Sequence, residues 1–393
     1  MDNSIHHSER IFKSLEKINL TGKLSKIAIT HIITILMAIF SIGYHGKTVD
    51  FERQSDCHRT TIGYFLNKGK WDELAIEKAV KQSVINIIYE ESKRTGNPIF
   101  CVIDDTISSK TKPSSKAKHP IEDAYFHFSH LKKKQDYGHQ AIAVMLCCNG
   151  IVLNYAVVMY DKSVSKIELA SKIACELPVV PVISYLLCDS WYVCDKVINS
   201  FIVKGFYTIG ALKTNRIVYP KGVKCSVSRL AAALKESTLP FRTVIVKGHQ
   251  YNIFRYEGNL NGIDNAVVLI SFPVGQMSNP KALRAFISTD VSLSTEEILH
   301  FYVKRWEIEV FFRDCKTKLA FDKYQIRSSK GIRRFWILTS LAYFIACSCS
   351  KSFCFSEGFY SLSDTVYREH IRYIYEYGKS AKNIDSLFDM LSA

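Results

Sequence analysis

The sequence predicts an α/β protein, a mixed sheet core with a β-rich insertion, preceded by an all-helical segment. Three observations carry this. Residues 1 to about 95 place apolar residues at helical spacing, whereas from Pro98 the period drops to two. Two apolar runs that end in acids, Pro98 to Asp105 and Val182 to Asp189, then alternate with amphipathic stretches, as strands alternate with helices. Between residues 214 and 285 short strand-like runs separated by glycine turns replace that alternation.

Composition narrows the function. With 393 residues the chain can bury a large core, and its net charge of +15 favours a polyanionic partner, nucleic acid before a membrane surface. The 12 cysteines contain no C-x-x-C pair and sit mostly in apolar runs, so they read as buried free thiols in a reducing cytoplasm. The chain opens on the polar MDNSIHHSER, which lacks the apolar region of a signal peptide. Ile27 to Tyr44 and Phe335 to Cys349 fall short of the roughly 20 residues a membrane span needs. Both are expected to be buried helices, and no membrane role follows.

Taken in order, the helical segment begins with Ile11, Leu15 and Ile18 on one face, and Gly46 breaks the apolar helix that follows. From Asp56 to Leu66, Ile62, Phe65 and Leu66 would face a small core and leave His58, Arg59, Thr60 and Thr61 exposed at a helix start. A recognition helix contacts bases and phosphates from that position, although a plain helical bundle explains the segment equally well.

The strand from Pro98 to Thr106 carries Asp104 and Asp105 on opposite faces at its exit. Residues 107–138 read as a loop rich in lysine (110, 112, 116, 118, 132, 133 and 134), and His119, His127, His130 and His139 are expected to meet solvent or phosphate. Asn149-Gly150 joins two apolar strands as a hairpin. Ile167 to Leu177 is a short helix, Val182 to Asp189 a buried strand, Ser190 to Ile198 a helix and Gly205 to Lys213 a strand. In such sheets the sites lie at the C-terminal strand ends, where Asp105 and Asp189 fall.

After the insertion, Arg284 to Asp290 returns to the sheet, and Leu299 to Leu319 predicts one helix entered through a Ser294/Glu297 capping box. Tyr302, Arg305, Glu309 and Lys316 lie within roughly 60° of one another on it. One carboxylate between two cations and a phenol suits an acid that holds a divalent metal while Arg and Lys grip phosphate oxygens. A solvated face laced with salt bridges is the ordinary alternative. A basic patch follows, with Arg327, Lys330, Arg333 and Arg334. Acids gathered from three segments repel one another, and divalent cations are the usual remedy.

Asp104-Asp105-Thr106, Cys188-Asp189-Ser190-Trp191-Tyr192 and Tyr302-x2-Arg305-x3-Glu309-x6-Lys316 together resemble the DDE transposases of bacterial insertion sequences. The last piece matches the Y-R-E-K signature of the insertion sequence 4 group at every spacing, and the likeness covers roughly residues 55–350. The resemblance implies an RNase H-like core that cuts the element's ends and joins the 3′-hydroxyl to target DNA. It implies two Mg²⁺ ions, with Mn²⁺ able to substitute, on Asp105, Asp189 and Glu309. Asp104 ranks second for the first acid, because the family aligns the acid just before the threonine. Tyr302, Arg305 and Lys316 would hold DNA phosphates, with His58, Arg59 and Thr60 in the helical DNA-binding part. The insertion would contact a displaced base, and Trp191 is expected to pack in the core. The expected partners are the terminal inverted repeats, target DNA and a second copy in the DNA complex, in the nucleoid of a bacterial cytoplasm. The expected segments are a helical DNA-binding domain (1–95), core (96–213), insertion (214–285), core (286–350) and tail (351–393). A structure-specific DNA nuclease of the same fold, and a DNA-binding protein with an inert core, remain open alternatives.

Overall fold

Polar caps start most of the N-terminal helices. The computed structural model describes residues 8–52, 57–129, 132–236 and 241–392. Helix α1 (Glu9–Lys17) begins at Ser8, α2 (Lys26–Phe40) at Ser25 and α5 (Glu73–Thr95) at Asp72, each of whose side chains accepts a first-turn N–H. Helix α5 stops at Gly96, which takes the left-handed conformation (φ 70°) that glycine accepts without strain. Between them lie the short α3 (Thr48–Glu52) and α4 (Arg59–Asn67), capped by the His58 ring. Ile62, Phe65 and Leu66 are buried under α4, and His58, Arg59, Thr60, Thr61 and Tyr64 are exposed. Asp56, where the sequence begins this segment, lies outside the described residues.

The sheet has 12 strands. Its first part comprises β1 (Phe100–Ser109), β2 (Tyr125–Ser129), β3 (Lys134–Cys148), β4 (Ile151–Tyr160), β5 (Ser184–Cys188) and β6 (Phe206–Ala211). Strand β3 runs antiparallel to β1, β2 and β4, while β1, β5 and β6 are parallel. Helices α6 (Lys166–Glu176) and α7 (Asp195–Ile202) connect the parallel strands. The insertion contributes β7 (Ile217–Val218), β8 (Cys225–Ser226), α8 (Val227–Glu236), β9 (Arg242–Val246), β10 (His249–Leu260) and β11 (Ile263–Pro273). Strand β12 (Arg284–Ser288) pairs β11 on one side and β6 on the other, so the insertion extends the same sheet edge to edge.

Two sequence expectations change here. Strand β1 does not end at its acids. It continues to Ser109 against Gly138, because β3 begins early enough to pair with it throughout, and the region taken as loop shrinks accordingly. The parallel pairing of β1 with β5 does stop at Ile103 and Cys188, so Asp104, Asp105 and Asp189 still lie just past the shared end. The helix placed at Ser190 starts only at Asp195, after a turn.

The chain closes with α9 (Thr295–Val303), α10 (Trp306–Thr317), α11 (Ser329–Cys349), α12 (Phe355–Gly378) and α13 (Ile384–Ser392). At 21 residues α11 exceeds the apolar stretch foreseen and, among the described residues, is the helix long and apolar enough to cross a membrane; 78% of its apolar window is buried inside the protein. It packs against α2, α4, α5, α12 and β4, so the N-terminal helices share their core with the sheet. The 12 cysteines form no disulfide, and Cys101, Cys188 and Cys347 are buried as expected.

The α11–α12 crossing depends on Gly358, where any Cβ would collide with the Ala346 carbonyl. Gly358→Leu is expected to cost about 1–3 kcal/mol by overpacking and to loosen α12. Thermal melting, with proteolysis of the C-terminal helices, checks this; an unchanged melt would mean the helices can separate freely.

Candidate active site

Glu309 and its neighbours sit at a break in the predicted long helix. Instead of one helix over 299–319, α9 and α10 meet at Lys304 and Arg305. There the N–H groups of Lys304 and Arg305 donate to Phe301 and Tyr302, three residues back rather than four. This tighter turn leaves Arg305 in helical geometry, so the foreseen stripe survives with altered reach. The capping box of Ser294 and Glu297 is formed as read from the sequence.

From that turn Arg305 reaches two carboxylates. Its Nη1 donates to Asp104 at 2.5 Å and its Nη2 to Glu309 at 3.2 Å. Lys316, two turns further along α10, donates to Thr106 Oγ1 at 2.6 Å and to the Ile107 carbonyl at 3.2 Å. Asp104 and Thr106 share a face of β1 because strand side chains alternate. Tyr302 packs beside this group: its ring meets Phe286 of β12 edge-on at 4.9 Å, and burial pushes its phenol up to about 12 although the neighbouring Arg305 opposes the rise.

Asp105 faces the other way. Its carboxylate accepts from Lys166 at the start of α6 at 2.8 Å, from the Tyr192 hydroxyl at 3.2 Å, and from Gln140 of β3. Asp189 lies between the two environments and accepts the Trp191 N–H at 2.9 Å. The structure therefore groups Asp104, Arg305 and Glu309 on one face, Asp105 with Lys166 on the other, and Asp189 within electrostatic range of both.

The electrostatics are those of crowded, partly desolvated acids. Burial raises Asp104 to about 7; Arg305 offsets part of this and Asp189 adds to it. Burial also raises Asp189, helped by repulsion from Asp105 and opposed by the Trp191 N–H. Burial would lower Arg305, yet Asp104, Tyr302 and Glu309 leave it raised, firmly cationic. Burial lowers Lys316. These donors are all carboxylate oxygens, which suit a hard divalent cation such as Mg²⁺ or Mn²⁺ and not a structural zinc. Among the described residues no three His, Cys, Asp or Glu groups converge on one point, and Arg305 and Lys166 pair with Asp104 and Asp105.

Several assignments made from sequence move. Trp191 does not pack in the core; it is 51% exposed on the turn after Asp189. His127 and His139 are buried rather than turned to solvent, and His139 bridges the Tyr324 hydroxyl and the Glu122 carbonyl at 2.7 Å each. His130 lies outside the described residues. Within the basic patch Arg334 is buried, and Arg333 pairs with Asp123 and Asp161. Lys166, Gln140 and Tyr192 were not found from sequence. Only Tyr192 carried a signal, through its place in the motif around Asp189.

Residues 95–345, more than half of the chain, match the family model described as transposase DDE domain. No curated protein matches the chain.

Proposed function

The chain belongs to the transposase DDE domain family, and from that premise we propose that it is an insertion-sequence transposase of the Y-R-E-K group. It would bind the terminal repeats of its element, cut them, and join the freed 3′-hydroxyl to target DNA, two copies acting on a pair of ends. The observation that carries this reading is the set of mutually repelling acids past the end of β1 and β5, held by cations of the chain itself. Such a cluster lowers stability unless a bound cation relieves it. The strand order β4-β3-β1-β5-β6, antiparallel then parallel, supports an RNase H-like core for residues 96–213 and 286–350. The expected helical domain (1–95), insertion (214–285) and tail (351–393) are kept as functional units of that proposal.

We assign metal binding to Asp105, Asp189 and Glu309. Divalent ions held there would activate the attacking water or 3′-hydroxyl and stabilise the leaving oxygen of an in-line displacement. The chain's own residues do the rest. Lys166 must release Asp105, and its flexible ammonium is then free for a phosphate. Arg305 stays anchored by Asp104 and presents its remaining donors toward the strand, where bidentate phosphate contact fixes orientation. Lys316 braces the backbone of β1 beside the acids and adds positive charge. Tyr302 lines the approach from β12. His58, Arg59 and Thr60 would contact the terminal repeat.

The two adjacent acids separate the roles. With a duplex carrying the element's own end, Mg²⁺-dependent nicking is expected and EDTA should abolish it. Asp105→Asn is expected to lose about 10³-fold or more, the several kcal/mol a metal ligand contributes. Asp104→Asn, which only loosens Arg305, is expected to stay within about 10–100-fold of wild type, as for a supporting partner. The reverse ranking would transfer the first-acid role to Asp104. Tight end binding with no cutting under any metal would favour the inert DNA-binding alternative.

A further inference from the structure

Trp191 is an exposed indole in an unusual place. Its backbone N–H donates to the Asp189 carboxylate, so the turn that carries the ring is fixed beside a proposed metal ligand. Two ammonium groups flank it: Lys166 Nζ lies 5.4 Å and Lys213 Nζ 5.1 Å from the ring centroid. Lys166 also holds Asp105, so the indole and that acid share one cation. Beside it opens a groove of about 860 Å³ between the insertion and α9, lined by Ser190, Lys213, Tyr302 and the basic Lys281 and Arg284. Ligand sites run roughly 300–1,000 Å³, so the groove has room for nucleotides.

A half-exposed indole flanked by two ammonium groups presents a flat apolar face in a positive field, which selects a polyanion with flat apolar faces of its own. Every nucleobase offers such a face, and each stacked base contributes without regard to sequence. A base paired within the duplex cannot reach it, because both its faces are covered by its neighbours. We propose that Trp191, with Lys166 and Lys213, is a stacking platform on the catalytic core for an unpaired nucleotide of the strand being cut. The two lysines would take the flanking phosphates, and the rest of the unpaired strand would lie in the adjoining groove. This rests on the transposase reading above but places the contact on the turn after Asp189, not in the insertion. Since that turn is two residues from the acid, a base stacked there would hold the scissile phosphate in register with the carboxylates.

The test uses the full chain and two synthetic duplexes of one sequence, one blunt and one with a few unpaired thymidines at an end. Binding is read in EDTA by fluorescence anisotropy, together with quenching of tryptophan emission. Wild type should prefer the frayed duplex. Trp191→Ala should weaken that complex roughly tenfold or more, leave the blunt duplex within about twofold, and melt like wild type. Trp191→Phe should recover most of the preference, which a merely structural role would not predict. Equal loss on both duplexes, or no loss, overturns the platform. Because binding is read without divalent ions, cleavage intact with no preference overturns this inference alone. A preference intact with no metal-dependent cleavage overturns the assignment of the acids instead.

Discussion

Asp189→Asn or Glu309→Gln is expected to abolish Mg²⁺-dependent cleavage, by about 10³-fold or more, while DNA binding changes by no more than a few-fold. Neither carboxylate holds the fold together. The Glu309 side chain is 41% exposed in the first turn of α10 and bonds only to Arg305 among the described residues, and Arg305 keeps Asp104 when Glu309 is neutralised. At Asp189 an amide still offers the oxygen that accepts the Trp191 N–H, so the turn survives. At Asp189, removing a charge that Asp105 repels should raise the melting temperature of the metal-free protein, whereas at Glu309 loss of the part-exposed pair with Arg305 should leave it nearly unchanged. Nicking assays beside thermal melts separate the two effects. A variant that cuts normally would lose its place among the metal ligands, and one that is inactive but melts far below wild type would have lost the fold rather than the chemistry.

The largest stability effect is expected at Arg334, whose side chain is 1% exposed. Its Nη1 donates to the carbonyls of Phe65 and Leu66 at 3.1 Å each, and its Nη2 to the Trp71 carbonyl at 3.2 Å and to Glu73 at 2.9 Å. The guanidinium also lies 4.4 Å over the Trp71 ring, and Trp71 stacks on Phe65 at 4.8 Å. One fork thus satisfies the C-terminal carbonyls of α4 and joins that helix to α11. Arg334→Ala strips the Leu66 and Trp71 carbonyls of this donor and removes the counter-ion of the part-exposed Glu73, while the Phe65 carbonyl keeps the Trp71 indole N–H; the loss is expected to be about 3–5 kcal/mol. Lysine lacks the planar fork and should recover little of it. Urea denaturation of Arg334→Ala and Arg334→Lys checks the magnitude. An effect within about 0.5 kcal/mol, as for an ordinary surface site, would show that water can replace the fork. If the proposed recognition role of α4 is correct, end binding should weaken in parallel, since Arg334 fixes the helix that presents His58, Arg59 and Thr60.

Arg334 also shows where sequence reading stops. In the chain it stands among Arg327, Lys330 and Arg333 and looks like one more phosphate contact, yet it is the most buried of them. Lys110 is a second case. It reads as a loop lysine, but its Nζ donates to the carbonyls of Asp322 and Tyr324 and lies 3.6 Å over the Tyr324 ring, where burial lowers it to about 8. A run of basic residues signals charge; which members face DNA depends on what packs against them.

What the sequence alone determined is what short-range physics dictates. Helical and strand periods located α2, β4 and β5, Asn149-Gly150 formed its hairpin, and Ser294 with Glu297 formed its capping box. The motifs around Asp105, Asp189 and Glu309 together pointed to the DDE transposases, and residues 95–345 match the transposase DDE domain family. Each of these signals lies within a short stretch of chain and is read without knowing its distant partners. The tertiary structure decided the rest. It continued β1 past its acids because β3 pairs with it, turned Asp104 toward Arg305 and Asp105 toward Lys166, and left Trp191 in solvent beside Asp189. Lys166 stands 61 residues from Asp105, and Arg305 stands 201 from Asp104. Contacts at such separations are set by how strands and helices stack, and local periodicity carries no record of them.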